Sequence, residues 1–176
     1  MPDVKRMIHD AYGIQVLRRE GSGGDPVSGR LYAMAHAVWA GKVMAAVENQ
    51  EAPCGAVLKI CYAPAGTWTD ADLKLVVEHL RSAVLRLQGD PVQYRTLVKL
   101  RRLAEVATLN LREECQGGGL PIMQICEMCG IDRSNWYKRQ WQRWFDAMGG
   151  ALHGWRVQGI RAVRTVCEEV EQARAA

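Results

Sequence analysis

Cys126 and Cys129 stand three positions apart, the spacing of half a zinc site. Cys54 and Cys61 supply two more thiolates, and His36, His79, Cys115 and His153 are further candidate ligands. Tetrahedral zinc needs four such groups brought together. No second CxxC and no CxxH accompanies the pair, and the four histidines form no HExxH. A CxxC acting as a redox pair would sit at a strand-to-helix junction, and this sequence signals helices throughout. No phosphate-binding P-loop, GxGxxG or GxSxG motif occurs. The cysteines therefore read as small buried hydrophobes kept reduced in the cytoplasm. The expectation is no enzyme, no metal and no cofactor.

Charge carries the next signal. The net charge is only +4, but it is unevenly spread. Between 133 and 164 stand Arg133, Lys138, Arg139, Arg143, Arg156, Arg161 and Arg164 against the single acid Asp146, a net +6. The rest of the chain is net negative. Such asymmetry suits an anionic partner for one region.

The elements that must position these residues read as helical. Apolar residues recur at helical spacing, with no long alternation and no hairpin signal. The expected helices span 4–20, 30–48, 54–62, 69–88 and 91–115. The inward stripe of the second is Leu31, Met34, Ala37, Val38, Gly41, Met44 and Val47. That of the fourth is Leu73, Val76, Val77, Leu80, Val84 and Leu87, and that of the fifth Tyr94, Leu97, Val98, Arg101, Ala104, Val106 and Leu109. The glycine-rich 21–29 reads as a linker, and the triple glycine at 117–119 as the interior boundary. The resulting organisation is an N-terminal helix and linker (1–29), a helical core (30–116) and a C-terminal region (117–176). The fold class is all-α with six or seven helices.

Residues 120–144, LPIMQICEMCGIDRSNWYKRQWQRW, fit a helix-turn-helix. Ile122, Ile125 and Cys129 would face inward, and Cys126 is small where two helices touch. Gly130 falls at the turn, where a positive φ is needed. Ile131 would plug the gap below, Asp132 or Ser134 would cap the second helix, and Trp136 would pack it back. Its exposed face would carry Arg133, Ser134, Tyr137 and Lys138, types that reach base edges and phosphates in a major groove. Arg139 stands where an apolar packing residue is expected. Arg139, Arg143, Arg156 and Arg161 are the candidate backbone contacts. Trp141, Trp144, Phe145, Met148, Leu152 and Trp155 have helical spacing and read as core rather than a stacking platform. Gly149-Gly150 is expected to bend or interrupt this helix, with Val157, Ile160, Val163, Val166 and Val170 marking a last one.

Three segments carry a family resemblance. VKRMIHDAYGIQVLRRE resembles a leading helix, and VWAGKVMAAVENQEAPCGAVLKICYAP with TWTDADLKLVVEHL resembles a helix, a short apolar stretch ending in tyrosine, and a helix. ICEMCGIDRSNWYKRQW, followed by a long helix, completes the set. Together they resemble the late antitermination (Q-type) proteins of lambdoid bacteriophages. The resemblance implies a DNA-binding factor that loads onto paused bacterial RNA polymerase near a late promoter and carries it past terminators. It carries DNA contact over to Arg133, Ser134, Tyr137 and Lys138, and this chain lacks the zinc-binding insert of some members.

The expected partners are double-stranded DNA, bacterial RNA polymerase and a second copy of the chain. No segment has the length and apolarity to span a membrane, and no signal peptide opens the sequence. Two other readings fit a helical, locally basic chain: a terminase small-subunit-like packaging module, and a protein–protein adaptor that never touches DNA.

Overall fold

The computed structural model describes residues 3–19, 28–88, 93–138 and 140–175. Eight helices and no strand occur among them: α1 Val4–Arg19, α2 Ser28–Glu48, α3 Cys54–Tyr62, α4 Asp70–Gln88, α5 Tyr94–Cys115, α6 Ile122–Cys129, α7 Arg133–Lys138 and α8 Trp141–Ala175. Local chemistry accounts for many of their ends. Asp3 opens α1 by accepting the Arg6 N–H on its carboxylate at 3.2 Å. Ala63 closes α3 in an extended conformation ahead of Pro64, which has no N–H with which to continue the helix. α5 and α6 end alike. Gly117 and Gly130 take positive φ (92° and 60°), and the N–H immediately after each of these glycines returns to a carbonyl of the last turn, Gly118 to Glu113 and Ile131 to Cys126, each at 2.9 Å.

The chain divides into two compact units, 1–69 with 156–176 and 70–155. In the first, α1 packs on α2 and α3, and α2 packs on α3. Its core comprises Ile8, Ala11 and Tyr12 of α1, Ala40, Val43 and Val47 of α2, Val163 and Cys167 of α8, and nearly all of α3. Only Lys59 of α3 is not buried, so this helix is the centre of the unit. In the second unit α4 packs on α5, α5 on α6, and α6 on α7. Val76, Leu80 and Val84, Leu100, Leu103, Ala104 and Leu111, and Trp144, Met148 and Leu152 are buried there.

Several sequence expectations are corrected. Among the described side chains of α2 the buried ones are Trp39, Ala40, Val43 and Val47, while Val38 is 63% exposed; the side chains of Leu31 and Met34 lie outside the described residues. The buried residues of α5 include Leu100, Leu103, Ala107 and Leu111 beside the expected Ala104 and Val106. Tyr94, Val98 and Arg101 point outward instead. Leu87 is exposed, and the buried part of α4 ends at Val84. Gly149-Gly150 interrupts nothing, because α8 runs unbroken for 35 residues. Two interior glycines cost a helix roughly 2 kcal/mol together, and the buried Trp144, Met148 and Leu152 on either side outweigh that. The triple glycine at 117–119 lies inside the second unit. Ser28 and Gly29 begin α2, and the rest of the expected linker lies outside the described residues.

Candidate nucleic-acid interface

Leu120 and Pro121 lead into α6, which buries Ile125, Cys126 and Cys129 and leaves Ile122 44% exposed. Ile122 therefore does not face inward as its spacing suggested, and the buried face of α6 begins at Ile125. Gly130 is left-handed, with open space where a Cβ would be, so it is the backbone angle that calls for glycine here. Ile131 is buried directly after it. Asp132 then caps α7, its carboxylate accepting the Ser134 N–H at 3.1 Å. Trp136 is 2% exposed and meets Phe145 edge-on, with ring centroids 5.6 Å apart.

With Ile131 and Trp136 turned inward, Arg133, Ser134, Tyr137 and Lys138 are all exposed on α7. Gln140, at φ 55°, makes the sharp turn from which α8 departs. Arg139 lies outside the described residues. Arg143 is exposed on the first turn of α8, in the same unit as α7. Arg156 and Arg161 belong to the other unit, Arg161 exposed and Arg156 half-buried with a partner of its own. The structure thus groups Arg133, Ser134, Tyr137, Lys138 and Arg143 in one unit and does not group Arg156 and Arg161 with them.

Sequence reasoning missed the residues that hold this region. Asn110 accepts the Leu120 N–H at 2.7 Å through its side-chain oxygen. Arg102 donates to the Met128 carbonyl and Lys99 to the Gly130 carbonyl, each at 3.0 Å. α6 has no basic residue in its own last turn. Two cations of α5 thus neutralise its negative end and fix the turn that leads into α7.

The CxxC pair is packed inside this region. Burial pushes the Cys129 thiol up to about 12, Cys126 adds to the rise, and Arg102 opposes it. Burial likewise raises Cys126, and raises Cys167 in the other unit to about 11. These thiols hold their protons at neutral pH. A thiol pKa raised by folding contributes stability that is intact below about pH 8.5 and is lost as the pH climbs toward the folded value. The urea midpoint is therefore expected to fall between about pH 7.5 and about pH 10.5. Cys129→Ala should fall less; an equal fall would remove Cys129 as a source. Among the described residues no group of three or more histidines, cysteines or carboxylates is arranged to hold a metal ion. No described helix is long and apolar enough to cross a membrane.

Each unit has a cavity of its own. One of about 630 Å³ is lined by His36, Trp39, Lys42 and Arg174, with the Arg174 guanidinium 5.1 Å from the Trp39 ring centre. The other, about 380 Å³, is lined by Asn110, Glu114, Phe145, Asp146 and His153. No family model, curated protein or solved structure matches this chain.

Proposed function

We propose that this chain is a sequence-specific DNA-binding regulator in which α6, Gly130 and α7 act as a helix-turn-helix. The observation that carries the reading is the division of α7 into two faces. Trp136 is buried, while Arg133, Ser134, Tyr137 and Lys138 are exposed together behind a left-handed glycine turn. Arg133 and Ser134 open the helix, and recognition helices contact base edges with their first residues. Arg133 would read a guanine edge or a phosphate, Lys138 a phosphate, and Ser134 and Tyr137 would assist. Arg143 and Arg139 would follow the backbone. Arg156 and Arg161 are backbone contacts only if the duplex also reaches the other unit. The resemblance to late antitermination proteins extends the proposal to a factor that engages bacterial RNA polymerase once bound near a late promoter.

Selection of the protein on a randomised duplex pool, at about 150 mM salt to suppress nonspecific binding, tests this directly. Enrichment of one sequence is expected, and its symmetry reports whether one copy or two bind. No enrichment would remove the regulator reading. Within an enriched site, Arg133→Ala is expected to cost about 1–3 kcal/mol and to relax the preference at one base position. An equal loss on every duplex would leave Arg133 without a base-reading role. A ring-sized mass in solution would instead favour the packaging module.

A further inference from the structure

We infer that the amino-terminal half of α5 is a second DNA contact, a phosphate-binding surface next to the turn that leads into α7. This inference rests on the DNA-binding reading of α7. Residues 94–104 hold Arg95, Lys99, Arg101 and Arg102 and no acid. All four cations are exposed. Arg95, Lys99 and Arg102 follow the i, i+4, i+7 pattern of one helix face, and Tyr94, Val98 and Arg101 form the row beside it. Tyr94 is 79% and Val98 54% exposed.

The location of this surface is fixed by hydrogen bonds. Lys99 and Arg102 bond the carbonyls of Gly130 and Met128, so their face of α5 borders the entry to α7. Those two bonds give Lys99 and Arg102 a structural duty, whereas Arg95 has no ion-pair or hydrogen-bond partner among the described residues. The first acid, Glu105, receives Arg101 at 3.3 Å and Arg102 at 3.1 Å and closes the basic stretch. From Arg95 to Arg102 the helix advances roughly 10 Å. A duplex presents one phosphate charge per ~1.7 Å of its axis, so this length faces several phosphates at once. Cations in such a row add affinity and orientation without reading sequence.

The test uses the full chain and the duplex recovered by selection, with affinity measured across a salt series. Arg95→Gln with Arg101→Gln leaves the Lys99 and Arg102 bonds in place. It is expected to weaken every duplex alike, by roughly tenfold at physiological salt, and to flatten the slope of log affinity against log salt by about 1.8. The base preference should be unchanged. Glu105→Gln, which releases Arg101 and Arg102, should act in the opposite direction and steepen the slope. An unchanged slope and affinity in the double variant, with Arg133→Ala still relaxing base preference, would overturn the α5 contact and leave the α7 reading standing. Absence of duplex binding by the unmodified chain would overturn both.

Discussion

Trp136→Ala is expected to destabilise the chain by about 3–5 kcal/mol, the range for emptying a buried tryptophan site. Trp136 is the largest of the fully buried side chains among the described residues and the only buried residue of α7. A six-residue helix cannot persist on backbone hydrogen bonds alone, because nucleation is unfavourable. Removing its single anchor should therefore release α7 as well as open a cavity. Trp136→Phe supplies the contrast. The indole N–H is buried without a partner, so losing it removes an unmet polar group rather than a hydrogen bond. Phenylalanine keeps an aromatic ring against Phe145, and its cost should be only roughly 1–2 kcal/mol. Urea unfolding separates the two variants, and under the proposed DNA-binding function duplex affinity should follow stability, falling with alanine and largely surviving with phenylalanine. Equal costs for the two variants would show that ring packing is not what anchors α7.

Among the described residues Gly55→Ala should be the most damaging glycine substitution, at about 3 kcal/mol, the upper end for forcing an extra carbon into a packed core. A Cβ at Gly55 would overlap the carbonyl oxygen of Val47, where α3 crosses α2. That oxygen belongs to the backbone of α2 at the fully buried Val47 and cannot rotate aside. At Gly159 a Cβ would lie 2.9 Å from Leu58 Cδ1, the end of a flexible side chain, so Gly159→Ala should cost less. At Gly150 nothing lies within 4 Å. There alanine should stabilise α8 by about 0.5–1 kcal/mol, because the helix no longer carries the entropy of glycine. Thermal or urea midpoints should therefore rank Gly150→Ala above the unmodified chain, then Gly159→Ala, then Gly55→Ala. If Gly55→Ala were tolerated as well as Gly159→Ala, the close α2–α3 crossing would not be rigid.

What could be read from the sequence follows from which interactions are local. α3 is legible at its observed bounds because Pro53 and Pro64 flank it and only Lys59 interrupts its apolar run. The Gly130 turn and the outward set on α7 were legible for the same reason, since glycine, cap and inward tryptophan lie within seven positions. The faces of α2 and α5 were not. Both helices carry apolar residues on more than one side, and Val38, Tyr94 and Val98 match an apolar stripe in type while facing outward. Lys99, Arg102 and Asn110 were invisible as supports of α6 because their partners lie 31, 26 and 10 residues away. The continuity of α8 was hidden because glycine weakens a helix by an amount that propensity registers and tertiary packing overrides.

The discontinuous make-up of the first unit has a consequence for synthesis. Residues 70–155 form one uninterrupted stretch, whereas the first unit combines 1–69 with 156–176. A growing chain emerges from its amino terminus, so α1 to α3 appear first but lack the Val163 and Cys167 that share their core. The second unit has all its parts as soon as residue 155 has left the ribosome. The unit that begins first is thus completed last, and the buried helix α3 waits through the translation of nearly a hundred further residues before the α8 segment arrives. During that wait its apolar surface is open to aggregation and to capture by chaperones.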